Sequence, residues 1–271
     1  ALKAWQDVAA GDPTNADAWG QIAQIDQANN QFPAALTAIR KARDLDSENL
    51  EYQFQEATID DALDHLDDAA KVYSQLVAAT EHSSGVYSDR EKGNYALVLD
   101  RLAQVYREQG RADQAVAAYQ KKASLGGDYE EAAYDQEVEA WREAHQYDKA
   151  VSTAQEAVQK QPKSLDAKLT LARQLTDTGH ADQGIAMAKD LLAANPKDLE
   201  VYYQLSQIYT DLRKWKDAAD VLDAAGKQAE KKDDQMMVEF ERAMMEDRAK
   251  RYDAAEADFQ KVLAVDPDRK S

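Results

Sequence analysis

The chain has 271 residues and a net charge of −18, from 33 Lys plus Arg against 51 Asp plus Glu. Such an excess of carboxylates repels phosphate backbones and argues against nucleic acid as a partner. The lack of any cysteine excludes disulfides, thiolate zinc sites and thiol catalysis, though it fits either redox compartment and leaves localisation open.

Ten Gly and five Pro are too few for a turn-rich β chain. Ala, Gln, Glu, Lys, Arg and Leu are the residues that lose least on entering a helix, so the expected fold is all-α. No apolar run approaches the roughly 20 residues that cross a bilayer, so no membrane insertion is expected of this segment.

Taken in chain order, the helical segments recur. Residues 1–15 read as the second half of a helical hairpin ending at Pro13, and units then begin near Ala16, Leu50, Ala96, Glu131, Leu165, Leu199 and Met236. Their spans are 16–49, 50–83, 96–129, 131–164, 165–198, 199–232 and 236–269. Residues 84–95, with "SDREKGNY" at their core, stand outside the count and read as a loop followed by an N-terminal extension of the next helix. Pro162 and Pro196, in one phase with Pro13 and Pro267, stop second helices, because Pro disfavours helical conformation just before itself.

Equivalent places carry equivalent residues. The eighth is small (Ala23, Ala57, Ala103, Val138, Ala172, Ser206, Ala243), and so is the twentieth (Ala35, Ala69, Ala115, Ala150, Gly184, Ala218, Ala255). The twenty-fourth is bulky in most units (Ile39, Tyr73, Tyr119, Leu222, Phe259). Small residues facing each other let two antiparallel helices approach closely, and bulky ones fill the space alongside. Between the helices lie turns such as "EQGRAD" and "DTGHAD", where Gly110 and Gly179 suit a helix end and Asp113 and Asp182 suit the next beginning.

A 34-residue helical hairpin with "YYQLSQIY" or "AWGQIAQID" in its first helix and "ADFQKVLAVDP" in its second resembles the tetratricopeptide repeat. The resemblance spans nearly the whole chain and implies one right-handed α-solenoid over residues 1–271. It further implies a non-catalytic scaffold that binds a peptide or protein segment in a concave groove lined by the first helices. The groove places carry Gln24, Phe54, Arg101, Gln104, Arg142, Arg173, Tyr203, Gln207, Phe240 and Met244. Carboxylates interleave them, so a segment bearing Lys or Arg would fit the charge. The Lys and Asn set by which some family members clamp a partner's C-terminal carboxylate is missing from the matching places.

Chemical motifs are sparse. There is no phosphate loop, nucleophile elbow or His-Glu-x-x-His sequence, so no enzyme, cofactor or metal is expected. "DDALDHLDD" lacks a calcium-loop pattern and reads as a hairpin turn whose Asp67 and Asp68 open a helix. His65, His145 and His180 fall at separate turns. Self-association through the Met-rich stretch 236–245, or a role as the regulatory arm of a larger enzyme, are the alternatives to the scaffold reading. The opening "ALKAWQDVAAGDP" repeats the close of the last unit, which leads us to expect the array to continue at both ends and Trp5 to stay partly exposed.

Overall fold

The computed structural model describes residues 1–265, with side chains to residue 263; Pro267 lies outside the described residues. Fifteen helices are found among these residues, with no strand. They fall into two compact units divided between Gln146 and Tyr147, inside the stretch 131–164.

The first unit holds α1 (Leu2–Gly11), α2 (Ala16–Ala28), α3 (Phe32–Leu45), α4 (Leu50–Ala62), α5 (Leu66–Thr80), α6 (Asp89–Glu108), α7 (Ala112–Ala123) and α8 (Asp128–Glu143). Here α2 packs on α3, α4 on α5 and α6 on α7 as antiparallel hairpins, each hairpin leaning on the next. The second unit holds α9 (Tyr147–Lys160), α10 (Leu165–Asp177), α11 (Ala181–Ala194), α12 (Leu199–Asp211), α13 (Trp215–Gln228), α14 (Lys232–Arg248) and α15 (Tyr252–Val265). Its hairpins are α10 with α11, α12 with α13, and α14 with α15. Each unit is a length of α-solenoid.

All fourteen small residues at the eighth and twentieth places are buried. The bulky twenty-fourth residues Ile39, Tyr73, Tyr119 and Leu222 are buried too. Trp5 is half-buried against the cluster built from Ile22, Leu36, Ile39 and Tyr52.

Five first helices are capped by the side chain before them: Asn15, Asn49, Ser88, Ser164 and Asp198 accept from the first-turn amides of α2, α4, α6, α10 and α12. At α6 the Ser88 hydroxyl accepts from the Glu91 N–H while the Glu91 carboxylate accepts from the Ser88 N–H. The loop before it is held by His82 stacked on Tyr87, and Tyr87 on Tyr95.

Seven turns, six within the hairpins and one following α8, share one geometry. Asn30, Asp64, Gly110, His145, Gly179, Arg213 and Lys250, the fifteenth residue of each unit, adopt φ between 56° and 87°. The next residue's N–H then donates five residues back, as from Gln31 to Asp26 and from Lys214 to Tyr209, at 2.8–2.9 Å throughout. This left-handed turn satisfies the orphan carbonyls of the first helix and leads straight into the second. Glycine is the unstrained choice there, yet only two of the seven turns have it.

Candidate functional site

In each unit the first helices present one face whose equivalent places become neighbours a repeat apart. Hydrogen bonds therefore recur at separations near the repeat length. Tyr52 donates to Asp17 at 2.7 Å, Gln136 to Asp100 at 3.1 Å, Arg107 to Glu143 at 2.8 Å and Gln207 to Glu241 at 3.3 Å, and Arg248 pairs with Asp211. Much of the carboxylate that the sequence places on this face is thus engaged by the protein itself.

In the first unit, Phe54 lines an apolar cleft of about 260 Å³ between α4, α5 and α6, together with Leu50, Leu76, Leu97 and Val98. Leu97 keeps 45% of its surface in solvent. Gln24 and Arg101 are exposed, and Gln24 accepts from Gln21 at 3.3 Å. Gln104 donates to Glu108 at 2.7 Å, and Arg142 pairs with Glu139 at 3.1 Å.

In the second unit the remaining residues come closer together. Arg173 from α10, Gln207 from α12, and Phe240 and Met244 from α14 line a single cleft of about 280 Å³, joined by Thr210, Asp211, Glu241 and Arg248. Phe240 meets Phe259 edge-on at 6.0 Å, and Met244 is 41% exposed. Tyr203 is buried beside this face with its hydroxyl lacking a partner, and burial, with Asp234, Glu241 and Glu200 adding, pushes the phenol up to about 12. Burial likewise raises the Glu241 carboxyl; the bond from Gln207 and the nearby Arg248 oppose the rise, while Glu200 adds to it. Thr210, Glu241 and Arg248 complete a site that no motif announces; what marks them is only their register on α12 and α14.

The larger cleft, about 730 Å³ between α3, α4 and α5, is a structural ion-pair network. Glu56, 2% exposed, accepts from Arg43 Nη1 at 2.6 and 2.7 Å and from Arg40 Nε at 3.0 Å. The fully buried Asp60 accepts from Arg40 Nη2 at 3.2 and 3.3 Å, with His65 Nδ1 at 3.1 Å. Asp60, His65 and Asp68 bring ligand atoms within 4.8 Å of one another. The Arg40 guanidinium already supplies positive charge to that group, so the arrangement suits an ion pair better than a cation. The signal for this network is legible in retrospect: Glu56 and Asp60, four residues apart, sit on the face of α4 that should be apolar.

Among the described residues no helix is long and apolar enough to cross a membrane.

Antiparallel helical hairpins repeated at this period define a helical-repeat scaffold. Residues 96–125 match the tetratricopeptide repeat, and residues 143–225 match subunit 3 of the anaphase-promoting complex, or cyclosome. The fold is of the tetratricopeptide-repeat kind. A tetratricopeptide repeat protein from Parabacteroides merdae superposes with a TM-score of 0.54 at 15% identity, over 94% of each chain. The MamA protein is similar over 60% of this chain and 81% of its own, with a TM-score of 0.48 and 21% identity. No curated protein matches the sequence significantly.

Proposed function

We propose that this protein is a non-catalytic scaffold whose first-helix face holds an extended or helical segment of a partner protein, with basic side chains in that segment set against its carboxylates. What supports the reading most is the cleft between α10, α12 and α14, where Arg173, Gln207, Phe240 and Met244 converge. Polar groups of both signs beside a half-buried aromatic and an exposed thioether suit a peptide rather than a small metabolite. The apolar cleft around Phe54 and Leu97 offers the first unit a comparable anchor point. The net charge of −18 favours encounter with a basic segment.

Fluorescence anisotropy with labelled Lys-rich and charge-neutral peptides tests this at about 50 and about 500 mM salt. We expect the Lys-rich peptides to bind more tightly at low salt and to lose affinity as salt screens the charges. Equal affinity at both salts would remove the electrostatic part of the reading. Peptide affinities left unchanged by substituting both Phe54 and Phe240 would remove the surface itself.

A further inference from the structure

Two half-buried charged groups in the α10–α12–α14 cleft form no ion pair within the second unit. Arg173 Nε is shielded from solvent and makes no hydrogen bond, and within the second unit its guanidinium forms no ion pair. Glu241 takes one hydrogen bond, from Gln207, and no cation lies within ion-pair distance of it. The other two charged residues lining the cleft, Arg248 and Asp211, pair with each other. Arg173 and Glu241 do not neutralise each other because they stand on α10 and α14, with α12 and its Gln207 between them. A sheltered charge without a counter-charge is costly, and a ligand that supplies the counter-charge recovers that cost on binding.

We propose that this cleft is a charge-paired subsite: Arg173 takes a carboxylate of the partner segment, Glu241 takes a lysine or arginine of the same segment, and an apolar side chain between them rests on Phe240 and Met244. The proposal rests on the scaffold reading above and narrows it. The segment recognised here is not uniformly basic but carries an acidic, an apolar and a basic residue close together. Arg173 can bind a carboxylate through two parallel N–H donors, which fixes the segment's direction along the face.

The test uses the full chain labelled with ¹³C at its methionine methyls, so that Met244 and Met245 report from the cleft wall. The probe is the acetylated, amidated peptide Ala-Glu-Phe-Lys-Ala, with partners in which Gln replaces Glu or Lys. The parent peptide is expected to shift the Met244 and Met245 signals saturably, and each Gln replacement to weaken binding about fivefold. In Arg173→Gln the Glu and Gln peptides should become equivalent while the Lys preference survives, and Glu241→Gln should do the reverse. Thermal melts of both variants establish that they are folded. A free-acid form of the peptide without Glu separates the two sources of carboxylate: recovery of affinity assigns the Arg173 partner to a chain terminus, and no recovery assigns it to a side chain.

Absence of any shift up to about 10 mM peptide, or equal affinity for all the peptides, overturns the subsite. So does a loss in either variant that ignores peptide charge. Binding that leaves Met244 and Met245 unmoved but is lost on substituting Phe54 also overturns it, and leaves the scaffold reading standing.

Discussion

Gly184 on α11 lies so close to α10 that a Cβ built on it would stand 2.3 Å from the carbonyl oxygen of Ala172. The same atom would stand 2.3 Å from Thr176 Oγ1, which donates to that carbonyl at 2.9 Å. These are the twentieth and eighth places of one hairpin, so the contact is the tightest version of a rule that elsewhere takes Ala against Ala. Backbone cannot yield as a flexible side chain can. Gly184→Ala should therefore destabilise the second unit by about 3 kcal/mol through overpacking, despite the better helix propensity of Ala. Urea unfolding that shows the variant equal to or more stable than the parent would contradict this.

The shared turn geometry makes an opposite prediction for two other sites. Arg213 and Lys250 hold φ of 56° and 60°, where a side chain crowds the backbone. Arg213→Gly and Lys250→Gly should each raise stability by about 1 kcal/mol, because the left-handed turn is already imposed by the bonds around it. Differential scanning calorimetry reads this as a higher Tm. A fall in Tm for both would show that the lost side-chain contacts outweigh the relief.

The network on α3 and α4 should respond unequally to its two halves. Glu56 and Asp60 are buried, whereas the side chains of Arg40 and Arg43 keep 42% and 33% of their surface in solvent. Removing the arginines leaves sheltered carboxylates unmatched, and the double variant Arg40→Ala with Arg43→Ala should cost about 4 kcal/mol. Glu56→Gln, which strands only half-exposed cations, should cost about 1 kcal/mol. Chemical denaturation of the two proteins should reproduce that order; the reverse order would refute it.

Glu241 gives the stability curve a pH-dependent component. Burial raises its folded carboxyl above the unfolded value, so the folded state holds the proton more tightly. The associated stability is full below the unfolded pKa of about 4.3 and is lost as pH rises through the higher folded value. Glu241→Gln should therefore melt higher than the parent at neutral pH, with the gap closing as the buffer is taken towards pH 4. A gap that stays constant or widens on acidification would mean that the carboxylate is favourably held in the fold.

The helical elements and their period were legible because both follow from local rules. Small residues at the eighth and twentieth places, stops at Pro162 and Pro196, and a face of apolar residues at helical spacing suffice to define a hairpin. The hairpin turns were legible only in part. Gly110 and Gly179 announce a left-handed turn, whereas Asn30, Asp64, His145, Arg213 and Lys250 adopt the same conformation without a glycine to announce it.

Which charges stay uncommitted was decided only by tertiary structure. The sequence by itself determined an acidic all-α chain of repeated hairpins and the register that puts Arg173, Gln207 and Met244 at equivalent places. It could not tell that Asp100 is engaged by Lys122 and Gln136, or Asp211 by Arg248. Nor could it tell that Arg173 and Glu241 are left unmatched within one cleft. Periodicity assigns each residue to a face, and a face is a property of one helix. Pairing depends on how far long side chains reach across neighbouring helices, and only packed helices fix those distances.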